Sequence, residues 1–294
     1  RPALSGFSPS PDCPCLSRPG PCYICGMDLL ASLASQYPFA FGVASSVVAG
    51  FVLTSLGATP VFVVRDLKPT TQNIMLAFAA GVMLAATFFS LLLPALDRAE
   101  VGFGSRGYAA SAVIVALLFG ALAMHVAHGL APHEHFGPKG RENTDHSRLA
   151  RVWLFVIAIA LHNFPEGLAV GIAAGSGDLA NGLGVTLGIG LQNMPEGLAV
   201  AVALRGEGYR RSTAFGVAAI SGALEPLGGL FGAGAIAISG SLLPWALAFA
   251  AGAMLFIISS EVIPETHRKG TERGATSALF GGFVVMLFLD VTLG

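Results

Sequence analysis

The chain has 294 residues, of which 54% are apolar and 11% charged, and its mean hydropathy is +0.72. A soluble domain carries about a quarter charged residues, so there is too little polar surface here to cover a water-facing fold. The formal charge of −1 excludes a net basic field that would draw the chain to nucleic acid.

Residues 1–38 form a Cys- and Pro-rich leader that runs into the first apolar segment. Its cysteines, Cys13, Cys15, Cys22 and Cys25, follow a C-x-C…C-x-x-C pattern that suits either a metal or disulfides. Yet Arg1–Gly26 is rich in Pro, Ser and Gly and begins without methionine. The leader therefore reads as disordered or non-native, with Met27 as the natural start.

Residues 39–294 form the transmembrane domain. Crossing about 30 Å of hydrocarbon takes about 20 largely apolar residues in a helix. Eight segments have that length: Phe39–Val64, Thr71–Leu96, Tyr108–Leu130, Val152–Gly175, Leu179–Leu204, Thr213–Ile238, Leu242–Ile263 and Thr276–Leu293. They lack the period-two alternation of membrane barrel strands. The expected fold is an all-α membrane protein: a bundle of eight transmembrane helices, with kinked fourth and fifth helices at its core.

Basic residues set the orientation. Alternate loops carry Arg65 and Lys68; Lys139, Arg141, Arg148 and Arg151; Arg205, Arg210 and Arg211; and Arg268, Lys269 and Arg273. The second loop has only Arg98 and Arg106, and the fourth and sixth have none. The positive-inside rule places the odd loops in the cytoplasm and both termini outside. The expected location is the cell inner (cytoplasmic) membrane, with multiple passes. The long cytoplasmic loop at 131–150 holds His133, Glu134, His135 and His146. His133 and His135 are candidates for auxiliary metal binding, although such a triplet is also common in an ordinary solvated loop.

One motif occurs twice. Leu161-His162-Asn163-Phe164-Pro165-Glu166-Gly167-Leu168-Ala169-Val170 returns thirty positions later as Leu191-Gln192-Asn193-Met194-Pro195-Glu196-Gly197-Leu198-Ala199-Val200. Positions i and i+4 share a helix face, so His162 stands over Glu166 and Gln192 over Glu196. Each proline frees the carbonyl four residues back, Leu161 or Leu191, and kinks its helix. A freed carbonyl in lipid needs a partner, so both kinks should face protein or a wet cavity. Glu225-Pro226 in the sixth segment and Glu261 in the seventh add carboxylates.

An intramembrane carboxylate is expensive unless it is paired, protonated or metal-bound, and here the basic residues lie almost entirely in loops. A lone glutamate or histidine would have a structural explanation. His162, Glu166, Gln192, Glu196 and Glu225 on three helices together point to cations. One imidazole with several carboxylate and amide oxygens suits divalent transition metals, zinc first. The metal is then a transported substrate, with no resident cofactor.

These residues resemble a known family. From about Phe39 to Gly294 the chain is similar to the ZIP (Zrt/Irt-like protein) metal transporters, particularly the bacterial GufA-like branch. The resemblance rests on His162-Asn163-x-Pro165-Glu166-Gly167, Gln192-Asn193-x-Pro195-Glu196-Gly197, Glu225-Pro226 and Glu261-Val262-Ile263-Pro264-Glu265. It implies a binuclear metal centre between the fourth and fifth helices. One metal would be held by His162, Glu166, Gln192 and Glu196, with Met83 as an extra ligand. The second would be held by Asn163, Gln192, Asn193, Glu196 and Glu225, with Glu196 bridging.

Ser90 and Asp97 resemble the family's entrance residues, and Glu261 joins them on the transport pathway. Uptake toward the cytoplasm is implied, with zinc preferred and Cd2+, Fe2+ and Mn2+ as further candidate ions. The lipid bilayer is the other partner, and a homodimer is compatible with the chain. Where some relatives have Asp this chain has Asn193, which removes one charge from the second site. The alternative from another class is an intramembrane metal-dependent hydrolase using metal-bound water. His-Asn-x-x-Glu, however, is not the His-Glu-x-x-His pattern of zinc proteases.

Overall fold

A computed structural model describes residues 23–64, 68–130, 144–266 and 272–293. His133 and His135, and the leader's Cys13, Cys15 and Cys22, lie outside the described residues. Among the described residues there is no strand, and eight helices are long and apolar enough to cross a membrane. They are Pro38–Phe62, Thr70–Phe103, Arg106–Ala127, Phe155–Gly175, Leu179–Gly206, Arg211–Ile238, Gly240–Thr266 and Glu272–Leu293, called here the first to eighth spans. A helix over Tyr23–Gln36 precedes them.

The second and fifth spans are the most enclosed, with 67% of each apolar window buried, against 11% for the eighth. The third and eighth spans instead expose apolar side chains at helical spacing, among them Ile114, Leu118 and Leu122, and Phe280, Val284 and Phe288. In water such stripes would be costly. Against lipid tails they cost nothing, because no hydrophobic force separates them from the solvent.

Packing sorts the spans into two groups. The first, fourth, fifth and sixth pack mainly on one another, as do the second, third, seventh and eighth. Within each group, glycines bring backbones into direct contact. A Cβ on Gly167 would lie 1.9 Å from the Glu225 carbonyl oxygen; one on Gly81 would lie 1.9 Å from that of Leu279, and one on Gly252 1.9 Å from that of Leu117. Close backbone approach through small residues is what membrane helices use in place of a hydrophobic drive. Gly252→Leu is therefore expected to cost roughly 1–3 kcal/mol through overpacking, read as a lower melting temperature in detergent. Between the groups the contact differs. Gly188 of the fifth span meets the Met286 side chain of the eighth, with the sulfur 2.1 Å from where a Cβ would stand.

Three spans widen locally into π-helix, over Val47–Val52, Ala86–Leu92 and Ile258–Val262. In the second and seventh spans a proline follows at once, Pro94 or Pro264. Its ring crowds the preceding turn and removes one amide donor, which a wider turn accommodates. The first span has no such proline nearby. The sixth span breaks at Ala223, between Arg211–Gly222 and Leu224–Ile238, so Glu225 opens a new helical segment. The fourth and fifth run as unbroken helices through Pro165 and Pro195.

Candidate metal centre

The repeated motif folds as its spacing requires. His162, Asn163 and Glu166 on the fourth span, Gln192, Asn193 and Glu196 on the fifth, and Glu225 on the sixth are all buried. Gln192 donates from Nε2 to Glu166 Oε1 at 2.6 Å, joining the two motif copies. Asn193 donates from Nδ2 to Glu225 Oε1 at 2.7 Å and to the Ala49 carbonyl at 2.9 Å. Asn163 donates to the Ser221 carbonyl at 2.7 Å. His162 Nε2 stands 2.9 Å from Glu261 Oε2, which brings the seventh span to the cluster.

Each amide thus commits its NH2 group to protein acceptors. Because a carbonyl and a carboxylate accept only, the amide of Asn193 has one orientation, with Oδ1 turned away from both partners. Within this cluster five buried oxygens are left without a hydrogen-bond partner among the described residues: Glu166 Oε2, Gln192 Oε1, Asn193 Oδ1, Glu196 Oε2 and Glu225 Oε2. An unmet buried acceptor costs about 1–3 kcal/mol, more if charged. Five on three adjoining spans form a set that a cation could satisfy. Among the described residues no group of three or more His, Cys, Asp and Glu is placed to hold a metal ion. A binding site here would draw on the amide oxygens of Gln192 and Asn193 together with carboxylate oxygens and one imidazole nitrogen.

Met83 is fully buried in an apolar cluster with Leu91, Met254, Ile257 and Ile258, a placement that packing alone explains. Ser90 is buried and donates to Asp290 Oδ1 at 2.7 Å. Asp97 is exposed and lines a cavity of about 260 Å3 with Ser176, Asp178, Asn181 and Asp290, at the end of the bundle where the second and fourth loops lie. Arg98 on its rim pairs with Asp178 at 3.6 Å, with both side chains well exposed.

Sequence reasoning did not single out Asp290, although a carboxylate in the apolar run Phe288-Leu289-Asp290-Val291 carries the same signal as Glu261. The carbonyls that accept from Asn193 and Asn163 belong to Ala49 and Ser221, not to Leu161 and Leu191, which the prolines free. Backbone acceptors on neighbouring spans leave no trace in side-chain patterns.

The family model described as ZIP Zinc transporter matches residues 127–290. The chain is 48% identical over 246 residues to zinc transporter ZIPB of Bordetella bronchiseptica, covering 84% of this chain and 79% of that one. It is 46% identical over 254 residues to zinc transporter GufA of Myxococcus xanthus, covering 86% and 99%. It is 34% identical to human zinc transporter ZIP11, covering 82% and 94%.

Proposed function

The chain belongs to the ZIP Zinc transporter family, and from that premise we propose that it carries zinc toward the cytoplasm through a two-ion centre between its fourth and fifth spans. It is a membrane protein and a transporter, not an enzyme. The observation that carries the proposal is the set of five buried, unpartnered oxygens on three spans that also hold His162 and Asn163.

In this reading His162, Glu166, Gln192 and Glu196 hold the first ion. Asn163, Gln192, Asn193, Glu196 and Glu225 hold the second, and Glu196 bridges. Gln192 and Glu166 each keep one oxygen beyond their mutual hydrogen bond, so an ion can bind without breaking that bond. The ion exchanges its hydration shell for these oxygens, and the His and Glu side chains, which among the described residues do not form a ready-made metal site, close around it on binding. Glu166 and Glu196 balance one doubly charged ion. The second site has the same carboxylate count, Glu225 with the shared Glu196, but amides where the first has the imidazole of His162, so it serves as the weaker, auxiliary site.

The cavity lined by Asp97 and Asp290 is the extracytoplasmic mouth, by the positive-inside rule. Ser90, hydrogen-bonded to Asp290 of that cavity, passes the ion inward, and Glu261 beside His162 receives the departing ion. The glycine-locked groups of spans move past one another at the Gly188–Met286 seam to expose the centre to each side in turn. Cadmium, iron and manganese are further candidate cargo. The protein resides in the inner membrane with both termini outside.

The test is fluorescent zinc uptake into proteoliposomes. Asn163→Ala and Asn193→Ala are expected to slow uptake less than His162→Ala. Equal losses would contradict the ranking of the two sites. Zinc binding without flux would point to a sensor, and zinc depletion in cells expressing the chain would reverse the proposed direction.

A further inference from the structure

The first span contributes no side chain to the ligand set proposed above, yet it touches the second site at two points. Both points lie in its π-helical stretch, Val47–Val52. The Ala49 carbonyl accepts one amide hydrogen of Asn193 at 2.9 Å, and Glu225 Oε1 accepts an amide N–H of the same group at 2.7 Å. One residue on, a Cβ at Gly50 would stand 2.3 Å from Glu225 Cβ, 2.6 Å from its carboxyl carbon and 2.9 Å from Oε2. Glu225 can occupy its place only because residue 50 has no side chain.

We propose, resting on the two-ion reading, that the π turn of the first span is the positioning element of the second site. The Ala49 carbonyl holds Asn193 so that its Oδ1 faces the ion, and Gly50 leaves the space in which the Glu225 carboxylate reaches Asn193. An α-helical turn carries successive carbonyls in a different register from a π turn, so the widened turn sets which carbonyl meets the amide. The hydrogen bonds of the first site lie elsewhere: its Gln192–Glu166 bond and its His162–Glu261 pair are among the fourth, fifth and seventh spans. A change at Gly50 should therefore separate the two sites. The residue positions ligands and is not one.

The experiment is zinc binding by equilibrium dialysis on the detergent-purified chain, with Glu225→Ala alongside. Unmodified protein is expected to bind two zinc ions per chain. Gly50→Ala is expected to raise the second dissociation constant by about tenfold or more, a difference of about 1.4 kcal/mol, while the first stays unchanged. Two ions bound by Gly50→Ala with unaltered affinities would overturn the proposal. If the unmodified chain binds a single ion, the two-ion reading itself fails, and the proposal with it.

Should Gly50→Ala not yield folded protein, hydrogen exchange on the unmodified chain decides the matter. Amides of residues 46–54 are expected to slow when the second zinc equivalent is added, and to show no such step in Glu225→Ala. Exchange there that ignores the second equivalent would equally overturn the proposal.

Discussion

Glu196→Ala is expected to abolish zinc uptake, by on the order of 100-fold or more in initial rate, while leaving the protein folded. Glu196 is the one carboxylate placed in both proposed sites, so its loss removes one of two negative charges from each. Losing even an outer-shell partner of a metal ligand typically costs about 10–100-fold, and losing a shared ligand should cost more. Stability should move the other way. Glu196 is buried, with Oε2 unpartnered among the described residues, so truncating it removes a buried polar group that the empty protein must carry. The melting temperature in detergent without zinc should hold or rise, whereas the increase produced by added zinc should shrink. Glu166→Ala differs, because it also strands the Gln192 amide that donates to it. Normal flux in Glu196→Ala would refute the bridging role.

The contrast between these two glutamates shows where sequence reasoning reached and where it stopped. The i, i+4 spacing of His162 with Glu166 and of Gln192 with Glu196 placed four side chains on facing helices, because helix geometry alone determines it. The lengths of the apolar runs placed all eight spans. The second span ends at Phe103 and not near Leu96, because the helix continues through Asp97 and Arg98 along the rim of the cavity, where charges meet water. Apolar length measures the bilayer, not the helix. The π turns were not legible. Pro94 and Pro264 are visible causes for two of them, but the turn at Val47–Val52 has no local signal, and the Ala49 carbonyl has no side chain to announce it. Asp290 carried a signal that the end of the last span obscured, since a charge near a helix terminus ordinarily snorkels to the interface.

The second large effect concerns motion. With Cys13, Cys15, Cys22 and Cys25 replaced by serine, a Gly188→Cys, Met286→Cys pair is expected to transport zinc until oxidised to a disulfide, then to stop, and to recover on reduction. Gly188 and Met286 face each other across the two groups of spans, and the methionine sulfur occupies the space a Cβ at 188 would need. Shortening Met286 makes room for the new thiol, and the two sulfurs then fall within reach of a short bridge. Backbone contacts through Gly81, Gly167 and Gly252 leave each group little internal slack, whereas a flexible thioether can repack as surfaces slide. A bridge inside one group should therefore be harmless. Phe119→Cys with Phe249→Cys, where the rings of the third and seventh spans lie 6.2 Å apart, is expected to keep full uptake when linked. If linking positions 188 and 286 leaves uptake intact, the ion crosses without relative movement at this seam, and a fixed pore through the oxygen cluster becomes the better description.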